Sequence, residues 1–183
     1  TYPAIISNAN TGVDGILCVG CAVNNVDNII NSDTDDFSSI VITAGLGVSA
    51  SISVKDGITD YPSGYFAGFD VSNSTLLGVD LISNTTVRTY LNGTLQETQS
   101  GNGLLLTAPL LSGSDRQTVG FITTLSFDEI RYTINQVVGV DVGTTQVYSA
   151  VIKSYCAGPA LECNTQTALT EPDFPAAIDG GLT

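Results

Sequence analysis

VRTYLNGTLQET, residues 87–98, is written as a β-hairpin. Asn92-Gly93 is the pair that a two-residue type I′ turn favours, because both of its positions need positive φ. The arms carry β-branched and aromatic residues, among them Val87, Thr89, Tyr90 and Thr98, which suit a pleated, half-buried surface. The same grammar runs outward along the chain. In FDEIRYTINQV, residues 127–137, Ile130, Tyr132 and Ile134 fall on one face of a strand, and Glu129, Arg131 and Thr133 on the other. Further strands are expected near 16–23, 39–43, 49–55, 64–71, 75–82, 103–106, 117–123 and 145–155, bounded by Gly, Asn, Asp and Ser. No window sustains the i, i+3, i+4 apolar stripe of a helix. Many short strands between turns imply an all-β, single-domain sandwich or jelly roll over residues 1–156. Residues 157–183 carry three prolines and no strand period, and are expected to form a C-terminal arm or inter-subunit linker.

Composition limits what such a sandwich can do. At 183 residues the chain can bury roughly 70% of its unfolded surface. Five basic residues face eighteen acids, and the net charge of -13 repels nucleic acid and anionic lipid. No apolar run approaches the roughly 18 residues that insert into a bilayer. There is no histidine, so neither a Ser/His/Asp nor a Cys/His apparatus can be assembled. No phosphate-binding Gly-Lys-Ser/Thr loop occurs. A carboxylate pair alone suffices for glycoside hydrolysis, but the chain has no Trp to line such a cleft. The reading is therefore non-enzymatic. The first residue is Thr and Met is absent, so a processed product or a part of something longer is expected.

The four cysteines form two tight pairs, Cys18 with Cys21 and Cys156 with Cys163. An even count suits disulfides in an oxidising, extracellular space. Zinc needs closer spacing than the second pair offers. Local pairing closes short loops worth about 2–3 kcal/mol each, whereas cross-pairing closes a loop of about 140 residues worth about 5 kcal/mol. Local pairing is the expectation, since cross-pairing requires the first and last strands to be neighbours.

NSDTDDFSS, residues 31–39, concentrates Asp33, Asp35 and Asp36 just before a strand. Asn31, Asp33, Asp35 and Asp36 offer hard oxygens for a loose calcium site, while an Asx-rich turn accounts for the same residues without a metal. An EF-hand fails, because Asp36 and Ile42 stand where that loop needs Gly and Glu. Residues 28–38, NIINSDTDDFS, resemble the turn near the start of discoidin-like (coagulation factor 5/8 type C, galactose-binding-like) jelly rolls. SASISVKDG, YLNGTLQET, FDEIRYTIN and VYSAVIK fall where such domains place strands. The match covers about residues 1–156, with Ser32 in place of the family's Gly and no Trp. The whole ensemble, beginning LCVGCAVNN, also looks like modules of very large secreted bacterial adhesins. The resemblance implies a β-sandwich near which a structural calcium is often found, with no other cofactor.

Two functions fit. The first is a structural or adhesive module of a secreted cell-surface adhesin or self-assembling extracellular filament. Its copies or neighbouring modules would be linked by terminal-strand exchange through Tyr2, Ile5, Ile6, Phe174 and Ile178. The alternative is a carbohydrate-binding module that recognises surface glycans. For sugar stacking, Tyr61, Tyr65, Phe66 and Phe69 are the clustered rings, although alternation favours packing for at least one of them. Asn73, Asn84 and Asn92 begin glycosylation sequons, where glycans would mark surface. Arg88 and Arg131 are expected to pair across strands with Glu129 or Glu97.

Overall fold

A computed structural model describes residues 4–73, 79–107, 115–136, 142–155, 165–166, 168 and 178–179. In chain order the first strands are β1 (Ala4–Ile6), β2 (Gly12–Asp14), β3 (Leu17–Val19), β4 (Ala22–Asn24) and β5 (Ser38–Val41). They are followed by β6 (Ala44–Leu46), β7 (Ser49–Asp56) and β8 (Phe66–Asn73), then a short helix, α1 (Val79–Ser83). Next come β9 (Thr85–Leu91), β10 (Thr94–Ser100), β11 (Leu105–Thr107) and β12 (Gln117–Ile122). The last are β13 (Glu129–Asn135), β14 (Thr144–Lys153) and β15 (Ile178–Asp179).

Two antiparallel sheets pack face to face. The first runs β1-β7-β13-β9-β10, with β2 also on β7; the second runs β15-β11-β12-β8-β14-β5-β4. The hairpin forms as read: Asn92 (φ 50°) and Gly93 (φ 77°) both take the left-handed conformation between β9 and β10. Register then fixes the core. Val87 on β9 stands opposite Tyr132 on β13, which stands opposite Ile52 on β7, and all three are fully buried. Tyr132 crosses to the second sheet, its ring 5.7 Å from that of Phe69. Its hydroxyl shares a hydrogen bond with Thr85 Oγ1 at 3.2 Å, and burial pushes its pKa well up. On the outer face of the second sheet Gly68 and Gly120 are directly paired, and the Phe66 ring lies over them. A Cβ at Gly120 would meet Gly68 Cα at 2.6 Å, so both positions must stay bare.

The structure departs from the strand expectations in two places. Residues 79–83 of the expected 75–82 strand form α1, with Leu81 and Ile82 buried; residues 74–78 lie outside the described residues. A short apolar run does not declare its period, and here packing against the core chose the helix. The expected strand 16–23 breaks at Gly20 (φ 73°): β3 joins β6 in a separate two-stranded flap, and β4 joins β5. Cys18 and Cys21 are disulfide-bonded across that break, Cα atoms 5.9 Å apart, as local pairing requires. Cys156 and Cys163 lie outside the described residues, as do Tyr2 and Phe174. Ile178 is placed by its backbone: β15 pairs with β11, Ile178 opposite Leu106.

Candidate functional site

The aspartate cluster is built as a polar turn. Asn31 Oδ1 accepts from the Asp33 N–H at 2.7 Å, Asp33 Oδ1 from the Asp35 N–H at 2.9 Å, and Asn31 Nδ2 donates to Asp36 Oδ2 at 2.9 Å. Arg116 clamps the turn from outside, donating to Thr34 O at 2.8 Å and to Asp35 Oδ1 at 2.9 Å. Its guanidinium sits 3.5 Å from the centre of the Tyr148 ring, a cation–π contact. The candidate calcium ligands thus use their oxygens on the backbone, on each other and on an arginine. Among the described residues no group of three or more His, Cys, Asp or Glu side chains is placed to hold a metal ion.

Two acids outside the cluster meet instead in a cavity. It has a volume of about 150 Å³ and opens between the sheets at one end of the sandwich. Val54 and Ile130 of the first sheet, Ala150 and Ile152 of the second, and Ile29 from the loop before β5 supply apolar walls. Ala4, Asp56, Tyr61, Phe127 and Asp128 supply the rest. Strand register brings them together. Asp56 ends β7 and donates its N–H to Asp128 O at 2.8 Å, while Tyr61 and Phe127 exchange backbone hydrogen bonds at 2.7 and 2.9 Å. Their rings lie 5.4 Å apart, and the Tyr65 ring lies 6.2 Å beyond Tyr61.

The two carboxylates are held differently. Burial works against the Asp56 charge, but donation from the Tyr61 hydroxyl (2.7 Å) and the Ile58 and Thr59 N–H groups outweighs it. The pKa of Asp56 therefore lies below the ordinary carboxylate value. Asp128 is 4% exposed. Its Oδ2 takes the Lys55 ammonium at 3.0 Å and the Asn92 N–H at 3.1 Å, so the turn that organises the hairpin also anchors this wall. The hydrogen bond to Asp128 raises the pKa of Lys55. Asp128 Oδ1 is buried and accepts no hydrogen bond among the described residues. An unmade hydrogen bond of this kind costs about 1–3 kcal/mol.

Of the rings considered for sugar stacking, Phe66 and Phe69 are buried in packing, while Tyr61 and Tyr65 are half-buried at the cavity end. Asn73 and Asn84 are also buried, and Asn73 Nδ2 donates to Val142 O and Thr145 Oγ1; of the three sequon asparagines only Asn92 is exposed. The expected arginine pairs do not form. A bulge between Leu95 and Glu97 places Thr98, not Glu97, opposite Arg88. Glu97 instead accepts from the N–H groups of Thr124 and Leu125, and Glu129 accepts from Ser53 and Asn10. Sequence reasoning missed Asp56 and Asp128, since each reads as an ordinary strand-end aspartate until register is known.

The chain is an all-β sandwich of two antiparallel sheets. No known protein family matches its sequence, and no curated protein matches it. Among the solved structures similar to it are carbohydrate-binding modules. One is a family 32 module from a family 31 glycoside hydrolase of Clostridium perfringens: 13% identity, 81% of this chain and 94% of that one covered, TM-score 0.44. Another is the family 32 module of C. perfringens NanJ in complex with galactose: 15% identity, 82% and 98% covered, TM-score 0.40. A third is a family 29 module variant, at 16% identity, 82% and 89% covered, TM-score 0.37.

Proposed function

We propose that this chain is a non-catalytic carbohydrate-binding module of a secreted or cell-surface protein, with its sugar seated at the cavity between Tyr61, Asp56 and Asp128. One observation carries the reading: an aromatic- and aliphatic-walled cavity of about 150 Å³ whose lining also includes the carboxylate residues Asp56 and Asp128. A cavity of that size takes about one six-membered ring. A pyranose offers an apolar C–H face for the Tyr61 ring and hydroxyl donors for the carboxylates, which matches the composition expected of a small-molecule site. Tyr61 and Phe127 are tied by an isolated β-bridge, and Asp128 adjoins the start of β13, so the backbone around the cavity is held by hydrogen bonds before a ligand arrives. A glycan array followed by isothermal titration tests this. Specific binding that Tyr61→Ala or Asp128→Asn abolishes supports it, and an array without hits overturns it.

A second reading, a subunit of an adhesin or filament linked by terminal-strand exchange, is favoured by a different feature. β1 and β15 are the outermost strands of their sheets, the positions from which a terminus can pair with a neighbouring copy, and Ile5 on β1 is 46% exposed. Electron microscopy of concentrated protein tests it: filaments support exchange, and dispersed monomers remove it.

A further inference from the structure

The outer face of the first sheet carries a second constellation, remote in role from the cavity. Direct pairing lines up Thr98, Arg88, Arg131 and Ser53 across β10, β9, β13 and β7 on the face away from the core. Two of the chain's five cations thus stand directly opposite each other. Like charges so placed repel. The acids nearest in sequence do not relieve them: the bulge carries Glu97 away, and Glu129 is buried and bonded to Ser53 and Asn10. Arg131 reaches only Asp14, at 3.4 Å with the Asp14 side chain 76% exposed, and donates to Ser51 Oγ at 2.9 Å. Its Nε is buried and makes no hydrogen bond. Arg88, half-buried, makes no hydrogen bond or ion pair among the described residues.

A guanidinium is planar, always charged and shaped to hold an oxyanion with two parallel N–H donors. Arg88, without a hydrogen-bond or ion-pair partner among the described residues, stands opposite Arg131 and beside the exposed Thr98, a placement complementary to one oxyanion bearing further hydroxyls. We propose that Arg88 and Arg131 form an oxyanion-binding subsite on this face, taking the carboxylate or sulfate group of an acidic saccharide. The chain's charge of -13 selects against densely charged polyanions, so the occupant carries isolated acidic groups. The bulge is what makes the subsite: in an unbulged ladder Glu97 would sit opposite Arg88 and neutralise it.

Isothermal titration of the whole chain with glucuronate, glucose 6-sulfate, glucose and inorganic sulfate tests the subsite. Binding of glucuronate or of glucose 6-sulfate that weakens with added NaCl is expected, and which of the two is tighter identifies the acidic group. Arg88→Gln should weaken that binding about tenfold or more, the loss of one charge-assisted pair. It should not lower the melting temperature, since it removes a like-charge contact. Arg88→Lys keeps the charge without the fork and should recover only part of the affinity. The Arg131 Nε–H resonance should shift on titration, which locates the ligand independently of any variant. Equal binding of glucose, inorganic sulfate binding as tightly as the acidic sugars, or indifference to Arg88→Gln would overturn the proposal. Because the neutral-sugar cavity depends on Asp128, a chain that loses neutral binding in Asp128→Asn yet keeps glucuronate binding separates the two sites. Failure of either leaves the other standing.

Discussion

Asp128→Asn, an isosteric change at the cavity wall, should separate structural from binding energy. Asp128 Oδ2 holds Lys55 Nζ at 3.0 Å and the Asn92 N–H at 3.1 Å. The Lys55 side chain is 27% exposed, so solvent screens the ion pair and its loss counts for under ~1 kcal/mol. The bond from Asn92 turns from charge-assisted to neutral, about another 0.5–1 kcal/mol. The variant should therefore be less stable by about 1–2 kcal/mol, read by urea denaturation at pH 7. The pH dependence carries its own sign. Lys55 has a folded-state pKa raised above its ordinary 10.5, so its contribution is complete below that value and is lost as pH rises through the folded value. The gap between wild type and variant should accordingly be flat at neutral pH and narrow above about pH 10.5. Sugar affinity should fall about 10–100-fold, because the carboxylate acceptor at Oδ1 is lost and an amide donor can take its place. A variant that binds sugar like the wild type, with a stability gap unchanged to pH 12, refutes this account of the wall.

Gly93→Val places a β-branched side chain at φ 77°, where its Cβ meets nothing and only the backbone is strained. The cost should be about 1–2 kcal/mol by denaturation, with weaker sugar binding because the Asn92 N–H shifts off Asp128. Asp56 has a lowered pKa, so its contribution is present above its ordinary value of 3.8 and lost as pH falls through the folded value; Tyr61→Phe removes one donor and should move acid unfolding to higher pH. Melting temperature should be the same in EDTA and in millimolar calcium, since the oxygens of Asn31, Asp33 and Asp35 serve the turn and Arg116; a calcium-dependent rise would refute that. Reduction of Cys18–Cys21, which closes a very short loop, should lower stability by about 2 kcal/mol, checked by denaturation with and without reductant.

Local rules made most of the framework legible. Asn92-Gly93 and the alternation of Ile130, Tyr132 and Ile134 were readable because turn chemistry and strand period act over a few residues. Helix α1 was not, because its apolar run fits either period and only the surrounding core decides. Glu97 illustrates the limit more sharply: one bulge after Leu95 shifts the ladder by a residue and moves its carboxylate from Arg88 to Thr124. A bulge has no obligatory residue signature, so the ion pair expected from sequence and the half-buried, unpaired arginine found in its place among the described residues differ by one unpredictable register step. The cavity was hidden for a related reason. Asp56 and Asp128 are 72 positions apart in sequence and meet only because β7 and β13 pair with Lys55 opposite Glu129.

A carboxylate pair in a cavity is also the equipment of glycoside hydrolysis, so the difference between holding and cleaving a sugar must come from proton affinity. A general acid has to keep its proton near neutral pH, which requires a raised pKa. Asp56 is moved the opposite way: the Tyr61 hydroxyl and two backbone N–H groups stabilise its charge. Its partner Asp128 is bound through Oδ2 to an ammonium and a backbone N–H, which leaves Oδ1 as a fixed acceptor. A carboxylate whose pKa is lowered, as that of Asp56 is, can order hydroxyl groups around a ring but is poorly suited to protonate a leaving oxygen. That lowered proton affinity at Asp56 is what sets the proposed sugar cavity apart from a hydrolase's acid site.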